Sequence, residues 1–134
     1  MSLKDISTRI GQRFEEMDRA RDQSLINARK VIKNCSLAIR AVHRGEAAEV
    51  EQFLAEARKL LSTACDQLRA YPDVYYSGFL QDAEKEYAEA QITNRIVTGQ
   101  SLPTPEELGV DYAPFLNGMA EAVGELRRQV LDLL

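Results

Sequence analysis

The sequence has no run of about 18 apolar residues, so we expect no segment of it to span a membrane. Only seven glycines and four prolines occur among 134 residues, and 45% of the residues are apolar, a composition that excludes a disordered chain. The formal net charge of −4 excludes a globally basic nucleic-acid binder but leaves room for a local basic surface. The length predicts a single domain, residues 1–134, with its own core.

Cysteine and histidine are also scarce, which removes several classes of site. Cys35 and Cys65 both lie in helical apolar patterns and indicate buried thiols in a reducing compartment, so we expect a cytoplasmic protein. His43 is the single histidine, and no Ser-His-Asp triad can form without it. Its position near a helix end favours a structural role over catalysis. No zinc-type cysteine spacing and no phosphate-binding glycine loop occurs.

Helical periodicity dominates the rest of the sequence, and chain breakers divide it into four long blocks. Thr104 followed by Pro105 also predicts the N-cap and first residue of a single helical turn. No alternating β pattern of useful length occurs, so the predicted fold class is all-α, an antiparallel bundle of about four long helices. The blocks run from about Leu3 to His43, from Glu46 to about Ala70, from about Asp73 to Thr98, and from about Asp111 to Leu134.

Three blocks carry apolar stripes at the 3,4 spacing of a helix that packs along a partner. The last block is still amphipathic at Leu134, which predicts cover from another subunit or from further residues. The stripes are Leu25, Ala28, Ile32, Cys35, Ile39 and Val42; Val50, Phe53, Ala57, Leu60, Ala64 and Leu68; and Leu116, Met119, Val123, Leu126, Val130 and Leu133.

Acidic residues form the most informative pattern. Asp82, Glu86 and Glu89 lie along one helical stripe of the third block, and Glu121 and Glu125 are four residues apart in the fourth. Such spacing alone favours a solvated face. The apolar residues between the acids of the third block instead suggest contact with protein, where like charges need a cation or raised pKa values. If the two faces meet, four or five carboxylates offer the hard oxygen ligands that Mg²⁺ or Mn²⁺ prefers.

Basic residues are concentrated in the first block. A charged outer face explains most of them, but Arg21 and Arg29 lie close to the apolar stripe and are candidates for phosphate contacts. Tyr75 and Tyr76 suggest base stacking as one role and packing at an interface as the more favoured one.

Several segments together resemble the translin superfamily, in particular translin-associated factor X and its prokaryotic relatives. The E-Y-x-E-A element at residues 86–90 and the G-E-L-x-R element at residues 124–128 are specific in combination. The resemblance covers most of the chain in order, and members of the family continue for further helices past the position of Leu134. The other matching positions are residues 18–22, Arg29, Ile39, residues 43–44, residues 71–76, Lys85, residues 99–103, residues 107–108, Tyr112 and Gly118.

The resemblance implies an all-helical protein that binds single-stranded RNA or DNA, forms homo-oligomers and, in the catalytic branch, cleaves RNA with Mg²⁺ or Mn²⁺. Glu86 and Glu89 match the two glutamates of the catalytic motif. Glu121 stands where the eukaryotic catalytic subunit has an aspartate, and Glu125 matches the acid of the G-E-L element. The resemblance therefore implies Glu86, Glu89 and Glu121 as catalytic residues, and the same three with Glu125 as metal ligands.

Three hypotheses follow from the sequence. The leading one is a metal-dependent endoribonuclease. The second is a non-catalytic oligomer that binds single-stranded nucleic acid, and the third is a helical scaffold without either activity.

Overall fold

The computed structural model describes all residues 1–134 and contains helices but no strand, which confirms the all-α prediction. Four of the helices are long, as predicted. The helices are α1 (Leu3–Arg44), α2 (Ala47–Leu68), α3 (Pro72–Tyr75), α4 (Phe79–Val97), α5 (Pro105–Leu108) and α6 (Tyr112–Leu133). None of them combines the length and the apolar composition that a membrane-spanning helix needs.

The third predicted block was wrong in one respect, because it is divided into the short α3 and the long α4. The division falls at residues 76–78, where Gly78 has a φ of 123°, a backbone conformation that side chains with a Cβ rarely adopt. The predicted turn after Thr104 is confirmed as α5, since the Thr104 hydroxyl accepts a hydrogen bond from the Glu107 N–H at 3.1 Å.

Helix α1 is long enough to extend beyond the bundle. Its 42 residues span about 63 Å at 1.5 Å per residue. Every residue before Met17 is exposed, whereas the later turns pack on α2 and α4. Arg13 secures the projecting part, because its Nη2 donates to the Ala70 carbonyl at 2.9 Å and its guanidinium lies 4.4 Å from the centre of the Tyr71 ring.

The core lies where α1, α2 and α4 meet. Each residue of the predicted stripes on α1 and α2 is buried or partly buried, which confirms those two predictions. Cys35 and Cys65 are both buried free thiols, as predicted. The largest fully enclosed apolar side chains include Val31 of α1, Leu68 of α2, and Leu80, Tyr87 and Ile92 of α4.

The apolar stripe predicted for α6 does not pack on another helix of the chain. Leu116, Val123 and Val130 are more than half exposed, and α6 instead packs on α4 through a face that includes Phe115, Gly118 and Ala122. The reason is that the small residues Gly118 and Ala122, beside the predicted stripe, permit a closer approach between helix backbones. Most of the large apolar residues of the predicted stripe therefore face outward.

The buried side chain of Glu84 links α4 to the beginning of α6. Its carboxyl is 1% exposed, and Oε2 accepts a hydrogen bond from the Asp111 N–H at 2.7 Å, while Oε1 has no hydrogen-bond partner. Burial raises the pKa of Glu84 to about 7. This buried acid is separate from the acidic residues that the sequence singled out.

Candidate acidic site between α4 and α6

The site lies where α4 and α6 pack most closely. A Cβ atom added to Gly118 of α6 would lie 2.7 Å from the Lys85 carbonyl oxygen, 2.8 Å from the Ala88 Cβ and 3.0 Å from the Glu89 nitrogen. All three separations are shorter than ordinary van der Waals contact. The two backbones can therefore adopt this spacing, beside Glu89, only because residue 118 has no side chain.

Glu89 is the buried member of the acidic group, with 6% of its surface exposed. Burial, followed by the charge of Glu86 and a hydrogen bond with it, raises the pKa of Glu89 to about 8. The charges of Glu125 and then Glu121 contribute smaller parts of the same rise. The structure therefore brings the two predicted acidic pairs, one from each helix, into mutual electrostatic contact.

Cys35 of α1 lies close to this acidic group. Burial first, and then the charges of Glu86 and Glu89, raise the pKa of the Cys35 thiol. On the opposite side, the Lys85 ammonium lies 4.0 Å from Glu86 Oε1 and neutralises only part of the negative charge. Asp82 is exposed and is not among the charges that raise the pKa of Glu89, so it lies outside the group.

His43 contacts Glu125, a link that the sequence did not reveal. Its Nε2 lies 2.8 Å from Glu125 Oε2, and its Nδ1 lies 2.6 Å from Gln129 Oε1. The i, i+4 spacing of Glu125 and Gln129 placed the two side chains on one face of a helix. Nothing in the local pattern indicated that this face would meet the C-terminal turn of α1, more than 80 residues earlier.

The chemistry of these residues suits a hard divalent cation. A buried carboxylate beside a second carboxylate forms a site where the negative charge is unfavourable unless a proton or a cation neutralises it. Glu86 and Glu89 form this pair, and Glu121 and Glu125 lie near enough to act on it. No three histidine, cysteine, aspartate or glutamate side chains of the structure are arranged as a complete set of metal ligands.

The candidate phosphate-binding arginines lie on the exposed side of α1. Arg21 Nη1 is 3.8 Å from Asp22 Oδ1, and Arg29 is exposed and makes no ion pair or side-chain hydrogen bond. Tyr75 and Tyr76 contact each other with ring centres 4.7 Å apart, and the ring of Tyr76 is largely exposed. Arg21, Arg29 and Tyr76 are exposed to a ligand, whereas Tyr75 is partly buried against the core, and none of the four contacts the acidic group.

Two solved structures are closely similar to this fold. The structure of apo-NeC3PO has a TM-score of 0.86 and 21% sequence identity, and the similarity covers 96% of this chain and 68% of that chain. The structure of AfC3PO in complex with duplex RNA has a TM-score of 0.84 and 35% identity, covering 92% and 63% of the two chains. These are C3PO (translin/TRAX) structures. The chain has the translin-superfamily fold.

A sequence relative extends the comparison to the archaea. The chain is 26% identical over 120 residues to an uncharacterized protein of Methanocaldococcus jannaschii, a match that covers 87% of this chain and 52% of the relative. The chain thus spans about half the length of that relative. No protein-family model matches the sequence. The resemblance to the translin superfamily is confirmed at the level of the fold.

Proposed function

We propose that this translin-fold protein binds single-stranded RNA or DNA and cleaves RNA internally with the help of Mg²⁺ or Mn²⁺. The observation that carries the proposal is the buried Glu89, which lies beside the partly exposed Glu86 and is acted on by the charges of Glu121 and Glu125 across the contact between α4 and α6. The similarity to AfC3PO, whose structure was solved with duplex RNA, supports RNA as the ligand.

Glu86, Glu89 and Glu121 would hold the cation, and Glu125 would complete its ligand set or orient a water molecule. A divalent cation supplies polarisation of a phosphate oxygen and a lower pKa for a bound water molecule. Glu89 can bind a cation only after it loses its proton. Burial and the charge of Glu86 favour the protonated form of this carboxyl. The chain therefore exchanges a proton for a cation at this position, and binding of the cation should strengthen as the pH rises towards 8.

The proposal is tested by incubating the protein with labelled single-stranded RNA in Mn²⁺, in Mg²⁺ or in a chelator. We expect shorter RNA products with a metal ion and intact RNA with the chelator. Binding without products in every condition would support the second candidate, a non-catalytic nucleic-acid-binding protein. That candidate is favoured by the absence of a complete set of three metal ligands. Absence of binding even at low salt would indicate a scaffold.

We further propose that Arg21 and Arg29 bind the phosphate backbone. Replacing both with alanine should weaken the binding of single-stranded RNA in chelator and should make its dependence on salt less steep. Each lost phosphate contact removes about 0.7 from the slope of log K against log salt, so the double variant should lose roughly 1.4. Fluorescence anisotropy at several salt concentrations measures this slope.

The control for the arginine variant removes the same charge from elsewhere on the surface. Arg44 and Arg69 are already engaged by neighbouring acids, with Nε–O distances of 3.1 Å and 3.0 Å. The double variant R44A/R69A should therefore keep the salt slope of the wild type. Equal slopes for both double variants would contradict the assignment of Arg21 and Arg29.

We also propose that the protein forms homo-oligomers and works in the cytoplasm. The exposed apolar residues of α6, together with Leu3, Ile6, Ile10 and Phe14 on the projecting part of α1, support association, because such surfaces are normally covered. The buried free thiols Cys35 and Cys65 support a reducing compartment.

A further inference from the structure

His43 connects the end of α1 to the acidic site. It lies in the last turn of α1, just before Gly45 ends the helix with a φ of 71°, and its side chain is 9% exposed. Apart from the bond of Glu84 to the N-cap residue Asp111, the bonds from its ring to Glu125 and Gln129 are the only side-chain hydrogen bonds between α6 and another long helix. An enclosed polar side chain in this position therefore holds two helices together at the site.

The ring acts on Glu125 as a hydrogen-bond donor. The carboxylate oxygen that faces Nε2 is an acceptor, so Nε2–H donates to it. Nδ1 lies 2.6 Å from Gln129 Oε1 and makes the second contact of the ring. One carboxylate oxygen of Glu125, Oε2, is thereby occupied, whereas Oε1 makes no hydrogen bond within the chain.

Glu125 remains close to the metal-binding pair while it is held in this way. Its charge is among those that act on Glu89, so the carboxylate lies near Glu89 even though it is bonded to His43. A carboxylate with one oxygen occupied by a hydrogen bond offers a cation only its other oxygen. It remains a good acceptor for a water molecule.

We propose that His43 is a positioning residue that holds Glu125 through Oε2, so that Oε1 of Glu125 orients the attacking water and Glu125 does not bind the cation. This inference rests on the proposed function and chooses between the two roles that were open for Glu125. Gln129 fixes the ring from its other side, and hence fixes the direction of the bond to Glu125.

Two conservative variants of His43 test its bond to Glu125 and its bond to Gln129 separately. In H43Q the side-chain amide can replace the Nε2 donor and keep the bond to Glu125. In H43N the shorter amide replaces only Nδ1 and keeps the bond to Gln129. H43A removes both bonds. If the contact with Glu125 is the one that matters, H43Q should restore activity and H43N should not.

We expect the kcat for RNA cleavage to fall roughly 10- to 100-fold in H43A and H43N, the range typical of residues that orient metal-site groups. H43Q should recover most of this loss. KM, and the Kd for Mn²⁺ measured by calorimetry without RNA, should stay within about threefold of the wild type. Unchanged kcat in all three variants would overturn the inference. So would a Kd for Mn²⁺ that rises in step with the loss of kcat, because Glu125 would then be a ligand.

A spectroscopic measurement keeps the inference separate from the proposed function. His43 is the only histidine, so an imidazole N–H signal in the NMR spectrum is unambiguously its own. In the wild type the Nε2–H signal should be visible at low field, and E125A should lose it. If the wild type cleaves no RNA, the proposed function fails, and this signal still decides whether His43 holds Glu125. Absence of the signal from the wild type would overturn the contact itself.

Discussion

Replacing Glu86 and Glu89 together with glutamine is expected to abolish metal-dependent RNA cleavage and, in the same molecule, to raise the stability of the fold. The loss of cleavage follows because an amide does not offer the cation a charged oxygen. The gain in stability follows because burial, and after it the charge of Glu86, disfavour the ionised form of Glu89 in the folded protein. A functional site that costs stability should show this combination.

The gain in stability should depend on pH in a defined direction. The pKa of Glu89 is raised from 4.5 to about 8 in the folded protein, so between these values the folded state keeps a proton that the unfolded state releases. The free energy of unfolding of the wild type should therefore be highest below pH 4.5 and fall as the pH rises to 8. By pH 7 the free energy of unfolding of the wild type should have fallen by about 3 kcal/mol from its value at low pH.

Urea denaturation of the wild type and E86Q/E89Q at pH 5, 7 and 8 measures the effect. The two proteins should differ little at pH 5 and increasingly at pH 7 and 8. Circular dichroism should show unchanged helix content. Cleavage at the wild-type rate by the double variant would overturn the catalytic assignment. Parallel pH profiles would show that the pKa of Glu89 is not raised in the folded protein.

Glu84 provides the matched control on the same helix. It is also a buried glutamate with a raised pKa, but it bonds to the Asp111 N–H instead of facing the acidic site. E84Q keeps an oxygen acceptor for that N–H and should gain stability at pH 8 while RNA cleavage continues. A loss of cleavage in E84Q equal to that in E86Q/E89Q would mean that any buried charge on α4 affects activity.

Replacing Gly118 with alanine should separate α4 from α6. The new Cβ would meet the Lys85 carbonyl oxygen and the Ala88 Cβ at separations below 3.0 Å, and two helix backbones cannot yield as a flexible side chain can. We expect a loss of about 1–3 kcal/mol in the free energy of unfolding, the usual cost of overpacking. The Kd for Mn²⁺ should rise as well, since Glu121 and Glu125 move away from Glu89.

The control for this variant is the other glycine in the same helix. A Cβ at Gly124 would meet no atom within 4 Å, so G124A should gain up to about 1 kcal/mol from the better helix propensity of alanine. Denaturation in urea compares the two variants directly. Equal stability of G118A and G124A would show that the helices are not this close in solution.

Local rules predicted the helices better than they predicted which residues face one another. The N-cap at Thr104 and the stripes of α1 and α2 depend on neighbouring residues and were correct. The break at Gly78 was missed because the apolar pattern continues across it. The stripe on α6 was correctly read as apolar, yet the helix packs on α4 through Gly118 and Ala122, since close approach of backbones can outweigh the burial of larger side chains.

The spacing of the acidic residues in the sequence identified them, but it did not predict their environment in the fold. The i, i+3 and i, i+4 patterns placed Glu86 with Glu89 and Glu121 with Glu125. That the two pairs meet depends on Gly118, and that Glu125 is held by His43 depends on a contact between distant segments. Neither fact can be obtained from periodicity, because both are set by how whole helices are arranged.

The two apolar sides of α6 have a consequence for the control of the site. One side rests on α4, while Leu116, Met119 and Val123 on the outer side are exposed. Whatever covers the outer side favours one placement of the helix that carries Glu121 and Glu125. Under the proposed function, coverage and cation affinity are thermodynamically linked, so each should strengthen the other by the same factor. We therefore expect dilution of the protein to weaken the proposed cation binding.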